Sequence, residues 1–250
     1  MWVRYLVIVW ICYAIAWNFA LFRKPLRAMK SAAPVPTPRG PQRILVIGAT
    51  GGTGRQLVEQ ALAQGHHVTA LVRTPAKMQL THENLRIVRG DVLDYVSVEL
   101  AMLGQDAVVS ALGHTHFLGP SRVLSDGTRN ILRAMRSCRV RRFICESSLG
   151  VGDAVGRLGL LSTFLFVPLL LSFYFYDRVR QENLIEASGV DWIIVRPTRL
   201  TNGAARGSYR HGTQVGNYIF GNSIARADVA DFMLKQLHDD TYLGRAVGVV

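Results

Sequence analysis

The feature that most constrains this chain is an apolar run that breaks at a cluster of glycines. The run Arg43–Ile47 is followed by Gly48, Gly51 and Gly54, and a helical pattern opens near Thr53. Glycine accepts positive φ angles and lets the backbone approach a ligand closely. A helix that begins there offers free N–H groups and a partial positive charge to an anion. Because a second strand follows at the distance of a β-α-β unit, the pattern predicts a dinucleotide-binding turn rather than an ordinary turn.

Short apolar strands and amphipathic helices alternate along the rest of the chain. The further strands are predicted at 66–73, 86–92, 106–112, 141–146, 191–196 and 246–250, and the helices at 54–64, 94–103, 121–138, 177–187 and 224–238. This alternation predicts an α/β fold, a doubly wound parallel sheet (Rossmann-like) in a single domain. Ligands of such sheets bind at the carboxyl ends of the strands. Gly48, Arg73, Asp91, Gly113 and Ser147 all lie at the carboxyl ends of predicted strands and therefore form one candidate crevice.

The end of the second predicted strand indicates which cofactor binds. The segment between Gln60 and His82 contains no Asp or Glu, but it has Arg73 at the strand end and then Lys77. An acid at this position binds a ribose 2′-hydroxyl, whereas an arginine holds a 2′-phosphate. The sequence therefore favours NADPH (NADP+) over NADH. The alternative is that Arg73 and Lys77 are only solvated surface cations.

The N-terminal segment has the composition of a membrane anchor. Residues 5–22 are eighteen residues without a charge, and four cations follow within 23–30. As a helix, eighteen residues extend roughly 27 Å, just enough to cross a bilayer core. The cations then predict a single-pass anchor with the catalytic domain on the cytoplasmic side. We expect an anchor with its basic flank at 1–30, a Pro-rich linker at 31–42 and the nucleotide-binding domain at 43–250. A cleaved signal peptide is the alternative, although its apolar region would be unusually long.

Charge and cysteine content exclude other classes of protein. The net charge is +12, and residues 1–43 carry seven Lys or Arg and no acid. The basic excess therefore belongs largely to the N-terminal segment, and we expect no nucleic-acid partner because no matching binding motif is present. The three cysteines have neither metal-ligand nor disulfide spacing. His114 and His116 offer too few ligands for a metal site, and His114 remains a candidate substrate contact.

A second apolar stretch, 159–176, is also eighteen residues long and uncharged. A membrane span there would put the sixth strand on the wrong side of the membrane, and Pro168 disfavours a continuous helix. Two interpretations remain. The stretch is either a lid or hydrophobic helix packed on the domain, or a monotopic surface that dips into the bilayer. An apolar substrate drawn from the membrane, such as a quinone, suits both.

Several segments together resemble a known family. They are GATGGTGRQLVEQAL, VTALVR, GDV, VVSALG, ICESSLGVGD and SGVDWIIVRPTRLTNG, in this order. The chain resembles the atypical short-chain dehydrogenase/reductases over about residues 43–250. More narrowly it is similar to the NAD(P)H-binding, NmrA-like group that includes NADPH flavin reductase/biliverdin-IXβ reductase. The resemblance is specific for fold and cofactor and weak for substrate.

By position, this resemblance implies a cofactor role for particular residues. They are Gly48, Thr50, Gly51, Gly52, Thr53 and Gly54 at the pyrophosphate; Arg73 at the 2′-phosphate; Asp91 and Val92 at adenine; Ala111, Leu112 and Gly113 beside the adenosine ribose; Ser147 and Ser148 near the nicotinamide; and Arg196, Pro197 and Thr198 closing over the nicotinamide end.

The catalytic pair of the typical dehydrogenases is altered. Those enzymes use Tyr-x-x-x-Lys, in which the lysine lowers the pKa of the tyrosine for proton exchange. Tyr174 and Arg178 have this spacing here, but arginine is not a close substitute for lysine. The candidate catalytic residues are Ser147, Ser148, Tyr174 and Arg178. The alternative for Tyr174 and Tyr176 is an aromatic packing face.

These observations predict an NADPH-dependent reductase, membrane-anchored, that transfers hydride to a flavin, a quinone or a similar conjugated acceptor. In such a reaction the protein mainly orients cofactor and acceptor. Two alternatives stay open. The first is a non-enzymatic NADPH-binding redox sensor or scaffold, which shares every cofactor residue. The second is a nucleotide-sugar epimerase or dehydratase, against which the missing Tyr-x-x-x-Lys argues.

Overall fold

The computed structural model describes residues 2–21, 40–114 and 119–250. The predicted basic flank at 23–30 and the predicted linker up to residue 39 lie outside the described residues.

The predicted strands and helices are present, with shifts of a few residues at their ends, and several further short elements occur that the sequence did not predict. The strands are β1 Arg43–Ile47, β2 His67–Val72, β3 Leu85–Arg89, β4 Ala107–Ser110, β5 Arg142–Glu146, β6 Asp191–Pro197, β7 Arg199–Thr201, β8 His211–Gly212, β9 Ser223–Ala225 and β10 Arg245–Val249. The helices are α1 Trp2–Leu21, α2 Gly52–Ala63, α3 Tyr95–Met102, α4 Val123–Ser137, α5 Val167–Leu170, α6 Ser172–Glu186 and α7 Arg226–Lys235.

Eight strands form the main sheet in the order β3-β2-β1-β4-β5-β6-β10-β8. All neighbouring pairs are parallel except β10 and β8, which are antiparallel at one edge. β1 lies between β2 and β4, so that Ile44 pairs with Val68 on one side and with Ala107 on the other. This arrangement confirms the predicted single-domain, Rossmann-like α/β fold. The order reverses between β1 and β4, which is where such sheets bind ligands.

Helices cover both faces of the sheet and bury one apolar core on each. On one face α2 packs beside α7, and Leu57 and Val229 belong to this core. On the other face α4 packs between α3 and α6, and Ile131 and Ile185 belong to that core. β4 is therefore buried along its whole length, as is usual for strands of a parallel sheet covered on both sides.

The prediction of a membrane-spanning anchor is wrong. Within the residues that the structure describes, no helix has both the length and the apolar character that a membrane crossing requires. The single-pass localisation and the cytoplasmic orientation, which both depended on a transmembrane helix at 5–22, are corrected with it.

One side of α1 instead packs against the second apolar stretch. Ala14 is buried, and Trp17 contacts the small core that contains Val167 and Phe175. The amide of Asn18 donates a hydrogen bond to the carbonyl oxygen of Thr163, 3.0 Å away. The two uncharged segments are therefore neighbours in the fold, a long-range contact that their composition does not indicate.

The second apolar stretch is broken into short helical pieces. A π-helical turn, Ser162–Phe166, runs into α5, and α6 begins two residues after α5 ends. Pro168 is the second residue of α5, directly after the π-helical turn. The stretch leads directly to Tyr174 on α6 and thus connects α1 to the candidate site.

Candidate active site

A cleft of about 400 Å³ opens at the carboxyl edge of the sheet, within the size range of small-molecule sites. It follows the ends of six neighbouring parallel strands, from β3 to β6. The predicted residues that line it are Gly48, Thr50, Gly51, Gly52, Thr53, Arg73, Asp91, Val92, Ala111, Leu112, Gly113, Ser147, Ser148, Tyr174, Arg178, Pro197 and Thr198. The remaining two predicted residues, Gly54 and Arg196, do not line the cleft.

The glycine spacing follows from contacts of the main chain at the end of β1. Gly48 has a φ of +80°, and a Cβ on it would lie 2.5 Å from the carbonyl oxygen of Ala111. A Cβ on Gly54 would lie 2.0 Å from the carbonyl oxygen of Gly48. The N–H of Gly51 donates to the same Gly48 oxygen at 2.9 Å. Glycine at these positions thus brings α2 directly against the end of β1, and Gly54 acts through packing.

The first N–H groups of α2 face this turn without a side-chain cap. The residue before the helix, Gly51, has no side chain with which to bond them. Unsatisfied N–H groups at a helix start attract an anion. The turn therefore has the chemistry required for the pyrophosphate of a dinucleotide.

Arg226 adds a cation to this turn that the sequence analysis missed. It is the first residue of α7, and a Cβ built on Gly52 would lie 2.5 Å from its Cδ. Its guanidinium donates to the side-chain oxygen of Asn202 at 2.5 Å. Arg226 lines the cleft, although 174 positions separate it from Gly52. The sequence carries only a weak signal for Arg226, which is a cation at a helix start, where acids are preferred.

The end of the cleft at β2 and β3 carries the predicted adenosine contacts. Arg73 directly follows β2 and is exposed. Asp91 and Val92 follow β3, and the Asp91 carboxylate accepts a hydrogen bond from the N–H of Leu93 at 3.0 Å. Among the described residues that line the cleft, Arg73 is the charged side chain directly after β2, and no acid follows that strand before β3.

The opposite end of the cleft is supported by a buried network of charged side chains. Ser147 donates its hydroxyl hydrogen to Glu182 Oε1 at 2.6 Å. Arg196 forms two hydrogen bonds to the Glu182 carboxylate, at 3.0 and 2.7 Å, and one to Asp153 at 2.6 Å. Arg196 therefore binds the carboxylate that holds Ser147 and does not itself line the cleft. The neighbouring Ser148 donates instead to the carbonyl oxygen of Leu149.

Tyr174 and Arg178 are in contact, as their spacing predicts. Arg178 Nε donates to the Tyr174 hydroxyl oxygen at 2.9 Å. Its Nη1 donates to the carbonyl oxygen of Glu146 at 2.6 Å and to Gln181 Oε1 at 2.8 Å. The guanidinium is buried and already satisfied by several partners. Because arginine stays protonated, it can hold the phenol in place but cannot exchange a proton with it.

His114 comes close to Tyr174 through the fold. Its Nε2 lies 3.2 Å from Asp177 Oδ2, and both side chains are almost fully buried. The ring meets that of Tyr174 edge to face, with centroids 5.4 Å apart. The Asp177 carboxylate also accepts N–H groups of Leu124 and Ser125 in the first turn of α4.

These bonds keep Asp177 ionised. Burial alone raises a carboxyl pKa, but the hydrogen bonds from His114, Ser125 and Leu124 outweigh burial and lower the pKa of Asp177. A histidine oriented by a buried carboxylate can hold or deliver a proton. His114 lines the cleft, so this chemistry is available at the end opposite Arg73.

Glu146, at the end of β5, is a second cleft residue that the sequence analysis did not select. Its Oε1 accepts a hydrogen bond from the Thr53 hydroxyl at 3.1 Å, and the side chain is buried. Burial raises the pKa of the Glu146 carboxyl, although Arg178 and Thr53 oppose the shift. When an anion binds at the glycine turn, the neutral form of this carboxyl avoids the charge repulsion that the ionised form would cause.

The parallel sheet and the cleft at its carboxyl edge place this chain among the dinucleotide-binding proteins with a Rossmann-like fold. The chain belongs to the NAD(P)H-binding family, whose model matches residues 48–240. The predicted family and the NAD(P)H cofactor are confirmed by this match, and so is the prediction of an oxidoreductase at the level of the family.

A sequence relative and two solved structures are similar over most of the chain. An uncharacterized chloroplastic protein from Arabidopsis thaliana is 31% identical over 218 residues, which cover 84% of this chain and 76% of that protein. ChuY, described as an anaerobillin reductase, from Escherichia coli O157:H7 has a TM-score of 0.69 at 22% identity, covering 83% of this chain and 96% of its own. A short-chain dehydrogenase/reductase from Veillonella parvula in complex with NADP has a TM-score of 0.67 at 21% identity, covering 83% and 94%. At these identities the two structures establish the fold alone.

Proposed function

We propose that this protein is an NADPH-dependent reductase that transfers hydride to a flat conjugated acceptor such as a flavin or a quinone. The observation that carries the proposal is the contrast in chemistry along one continuous cleft. One end has an anion-binding turn and a cation at the 2′-phosphate position, and the other has hydrogen-bonded side chains around Tyr174.

The choice of NADPH rests on Arg73. This residue is exposed at the end of β2, and the nearest acid lining that side of the cleft is Asp91, which follows β3. A guanidinium in this position pairs with a 2′-phosphate, while a ribose 2′-hydroxyl requires an acceptor. NADPH supplies the hydride, and the residues of this chain bind and orient it.

The choice of a conjugated acceptor rests on Arg178. Alcohol dehydrogenation in the typical enzymes requires a tyrosine whose proton exchange is assisted by lysine. Here the guanidinium is fixed by Glu146, Gln181 and Tyr174, so it orients the phenol and leaves it without such assistance. Hydride transfer to an electron-poor ring depends mainly on orientation and much less on that pair.

The test is cofactor binding followed by cofactor oxidation with the full chain. We expect NADPH to bind more tightly than NADH, and Arg73→Ala to weaken NADPH roughly tenfold or more while leaving NADH unchanged, because only NADPH has the 2′-phosphate. Arg129→Ala is the matched control, since Arg129 is an exposed arginine on α4 outside the cleft. NADPH oxidation is then measured with FMN, riboflavin and a short-chain quinone.

Three outcomes separate the candidate functions. Tight NADPH binding with turnover of at least one acceptor supports the reductase. Binding without turnover of any acceptor favours the non-enzymatic sensor, because both functions need the same turn. Equal weakening of NADPH and NADH by Arg73→Ala contradicts the assignment of Arg73 to the 2′-phosphate.

A further inference from the structure

A second cavity lies at the opposite end of α7 from the cleft. Its volume is about 320 Å³, within the size range of small-molecule sites. Arg226 begins α7 and lines the cleft, whereas Phe232 and Lys235 near the end of α7, and Gln236 directly after it, line the second cavity. Among the described residues none lines both, so the proposed reductase activity does not account for this cavity. We call it the aromatic cavity.

Aromatic side chains pack together at this cavity. They are Tyr209, His211, Phe232 and Tyr242. The centroid of the His211 ring lies 5.0 Å from that of Phe232 and 5.7 Å from that of Tyr242. Tyr209 meets Phe232 edge to face, with centroids 6.0 Å apart. Phe232 is buried, whereas the two tyrosines are half-buried and His211 is exposed, so these three residues can present ring surface to a ligand.

Hydrogen bonds hold these rings in place. The Tyr209 hydroxyl donates to Asp231 Oδ2 at 2.6 Å, and His211 Nδ1 lies 2.9 Å from the Tyr242 hydroxyl oxygen. The buried carboxylate of Asp228 accepts two main-chain N–H groups of the loop before Tyr209, which fastens that loop to α7. A ligand would therefore meet a cavity that needs little ordering on binding.

The charges at the aromatic cavity favour a cation over an anion. The ammonium of Lys235 lies 2.7 Å from Asp231 Oδ2, so its charge is offset. Asp239 supplies a second carboxylate, and the hydrogen bonds from Thr241 lower the pKa of Asp239 and keep it ionised. Both of these bonds, at 2.8 and 2.5 Å, use Oδ1. Oδ2 of Asp239 can therefore accept a hydrogen bond from a ligand, whereas an anion would be repelled.

Gln236 adds a buried acceptor. Its side chain lines the cavity, and the residue is 2% exposed. Its Nε2 donates to the carbonyl oxygen of Phe232 at 3.1 Å, which sets the orientation of the amide. Oε1 then has no hydrogen-bond partner among the residues that the structure describes. Because buried polar side-chain atoms nearly always have a partner, a ligand N–H is the expected donor to this oxygen.

The rings complete the match to an ammonium ion. Aromatic faces attract cations that lie within about 6 Å of the ring centroid. This cluster already contains one such contact, since Lys235 Nζ lies 5.5 Å from the centroid of the Tyr209 ring. A protonated alkylamine combines a positive charge, N–H donors and an apolar chain, and each of these has a counterpart at the aromatic cavity.

We propose that the aromatic cavity binds a small organic ammonium ion. Its N–H groups bond Gln236 Oε1 and Asp239 Oδ2, and its alkyl chain packs against the aromatic rings. This site is separate from the dinucleotide cleft, so the proposal does not depend on the reductase activity.

The test is an NMR titration of the isotope-labelled full-length protein at constant ionic strength. The probes are n-propylammonium, tetramethylammonium, n-propanol and propionate. Tetramethylammonium keeps the charge but has no N–H, n-propanol has a similar shape without the charge, and propionate reverses the charge. The amide resonances of Tyr209, Gln236 and Tyr242 report on the aromatic cavity, and that of Gly51 reports on the cleft.

The main variant is Asp239→Asn, which keeps an oxygen for the Thr241 bonds and removes the charge. Its matched control is Glu83→Gln, which removes an exposed carboxylate outside the aromatic cavity. Tyr242→Leu removes one ring and keeps an apolar side chain. Its control is Tyr218→Leu, at a tyrosine that is 59% exposed and does not line the aromatic cavity.

We expect n-propylammonium to shift the three cavity resonances saturably and to leave Gly51 unchanged. Tetramethylammonium should bind at least about fivefold more weakly because it donates no hydrogen bond, and n-propanol and propionate should not saturate the site. Asp239→Asn should weaken n-propylammonium about tenfold, Tyr242→Leu several-fold, and the two control variants should bind as the wild type does. Unchanged thermal unfolding and unchanged NADPH binding would show that the variants are folded.

Several results would overturn the proposal. One is the absence of a saturable shift with n-propylammonium. Tighter binding of propionate would make the cavity an anion site, and equal affinity for tetramethylammonium would contradict the N–H bonds to Gln236 and Asp239. Equal weakening by Asp239→Asn and Glu83→Gln would reduce the effect to the overall charge of the protein.

A lysine side chain carries the same chemistry as a free amine, and a further probe distinguishes these sources. N-acetyl-lysine methylamide that binds as tightly as n-propylammonium would support a lysine of a partner protein as the occupant. Its exclusion, with n-propylammonium bound, would support a free amine. None of these results depends on whether NADPH is oxidised, so the reductase proposal keeps its own test.

Discussion

The two ends of the cleft are built from different parts of the chain. At the β1 end the cleft is formed by main-chain atoms, since Gly48, Gly51 and Gly54 position the start of α2 and its N–H groups. At the β5 end it is formed by buried side chains, and Ser147 is held in place by Glu182, which in turn bonds Arg196.

The difference lies in how far apart in sequence the cooperating residues are. The glycine turn is complete within seven residues, whereas the bond from Ser147 to Glu182 joins residues 35 positions apart. A local motif can be recognised from neighbouring residues, but a network of charges exists only when three elements have been packed together. Substitutions at each end therefore measure the two contributions separately.

Glu182→Ala should have the largest effect on stability. Removing this carboxylate leaves the buried guanidinium of Arg196 with Asp153 as its remaining ionic partner and the Ser147 hydroxyl without its acceptor. Breaking a buried ion pair from one side costs about 3–5 kcal/mol. Unfolding in urea, with and without the substitution, measures this free energy.

The control for Glu182 is an exposed pair. Asp126→Ala removes the partner of Arg129 on the surface of α4 and should change the free energy of unfolding by about 0.5 kcal/mol or less. If Glu182→Ala lowers the free energy of unfolding no more than Asp126→Ala does, the buried network does not stabilise the end of the cleft at Ser147.

Gly54→Ala should damage the other end by steric overlap. The added methyl would lie 2.0 Å from the carbonyl oxygen of Gly48, so β1 and α2 must separate. We expect a loss of about 1–3 kcal/mol in unfolding free energy, together with a loss of NADPH binding. Gly203→Ala is the control, because its nearest neighbour would be 3.9 Å away. Normal NADPH binding by Gly54→Ala would mean that the turn is not the pyrophosphate site.

The sequence predicted the fold and the main-chain part of the site well because both depend on residues that are close together in the chain. The order of strands and helices and the glycine turn depend on local periodicity and on single-residue conformations, which any reading of the chain can detect. Arg226 and the Glu182 network depend on tertiary contacts and left almost no local signal. The error over α1 has the same origin. Eighteen uncharged residues are compatible with a membrane span and with packing on another apolar segment, and the contact of Asn18 with Thr163 is a tertiary one that leaves no signal in the local sequence.

Arg226 is an exception to this division, because it is a side chain at the end of the cleft that is otherwise formed by backbone. If its guanidinium binds the pyrophosphate, Arg226→Gln should weaken NADPH at least about tenfold, and Arg226→Lys should weaken it less. Adenosine 2′-monophosphate has the 2′-phosphate but neither phosphate of the pyrophosphate, so its affinity should fall with Arg73→Ala and not with Arg226→Gln. Calorimetry with both ligands measures this. An equal loss for both ligands would assign Arg226 a structural role at Gly52 instead.

Glu146 gives the smallest expected effect, and its sign depends on pH. Because burial raises the pKa of this carboxyl, the folded protein releases the proton at a higher pH than the unfolded chain, whose carboxyl has a pKa of about 4.3. As the pH rises from that value through the folded-state pKa, ionisation costs stability and places a negative charge next to the glycine turn.

Glu146→Gln keeps an oxygen for the Thr53 hydroxyl and cannot ionise. We therefore expect the variant to bind NADPH a few times more tightly than the wild type above the raised pKa, and equally well when the pH falls towards about 4.3. Kd values measured across this range, with the exposed Glu59→Gln on α2 as control, decide the matter. A ratio of affinities that is the same at every pH would show that ionisation of Glu146 does not act on the cofactor.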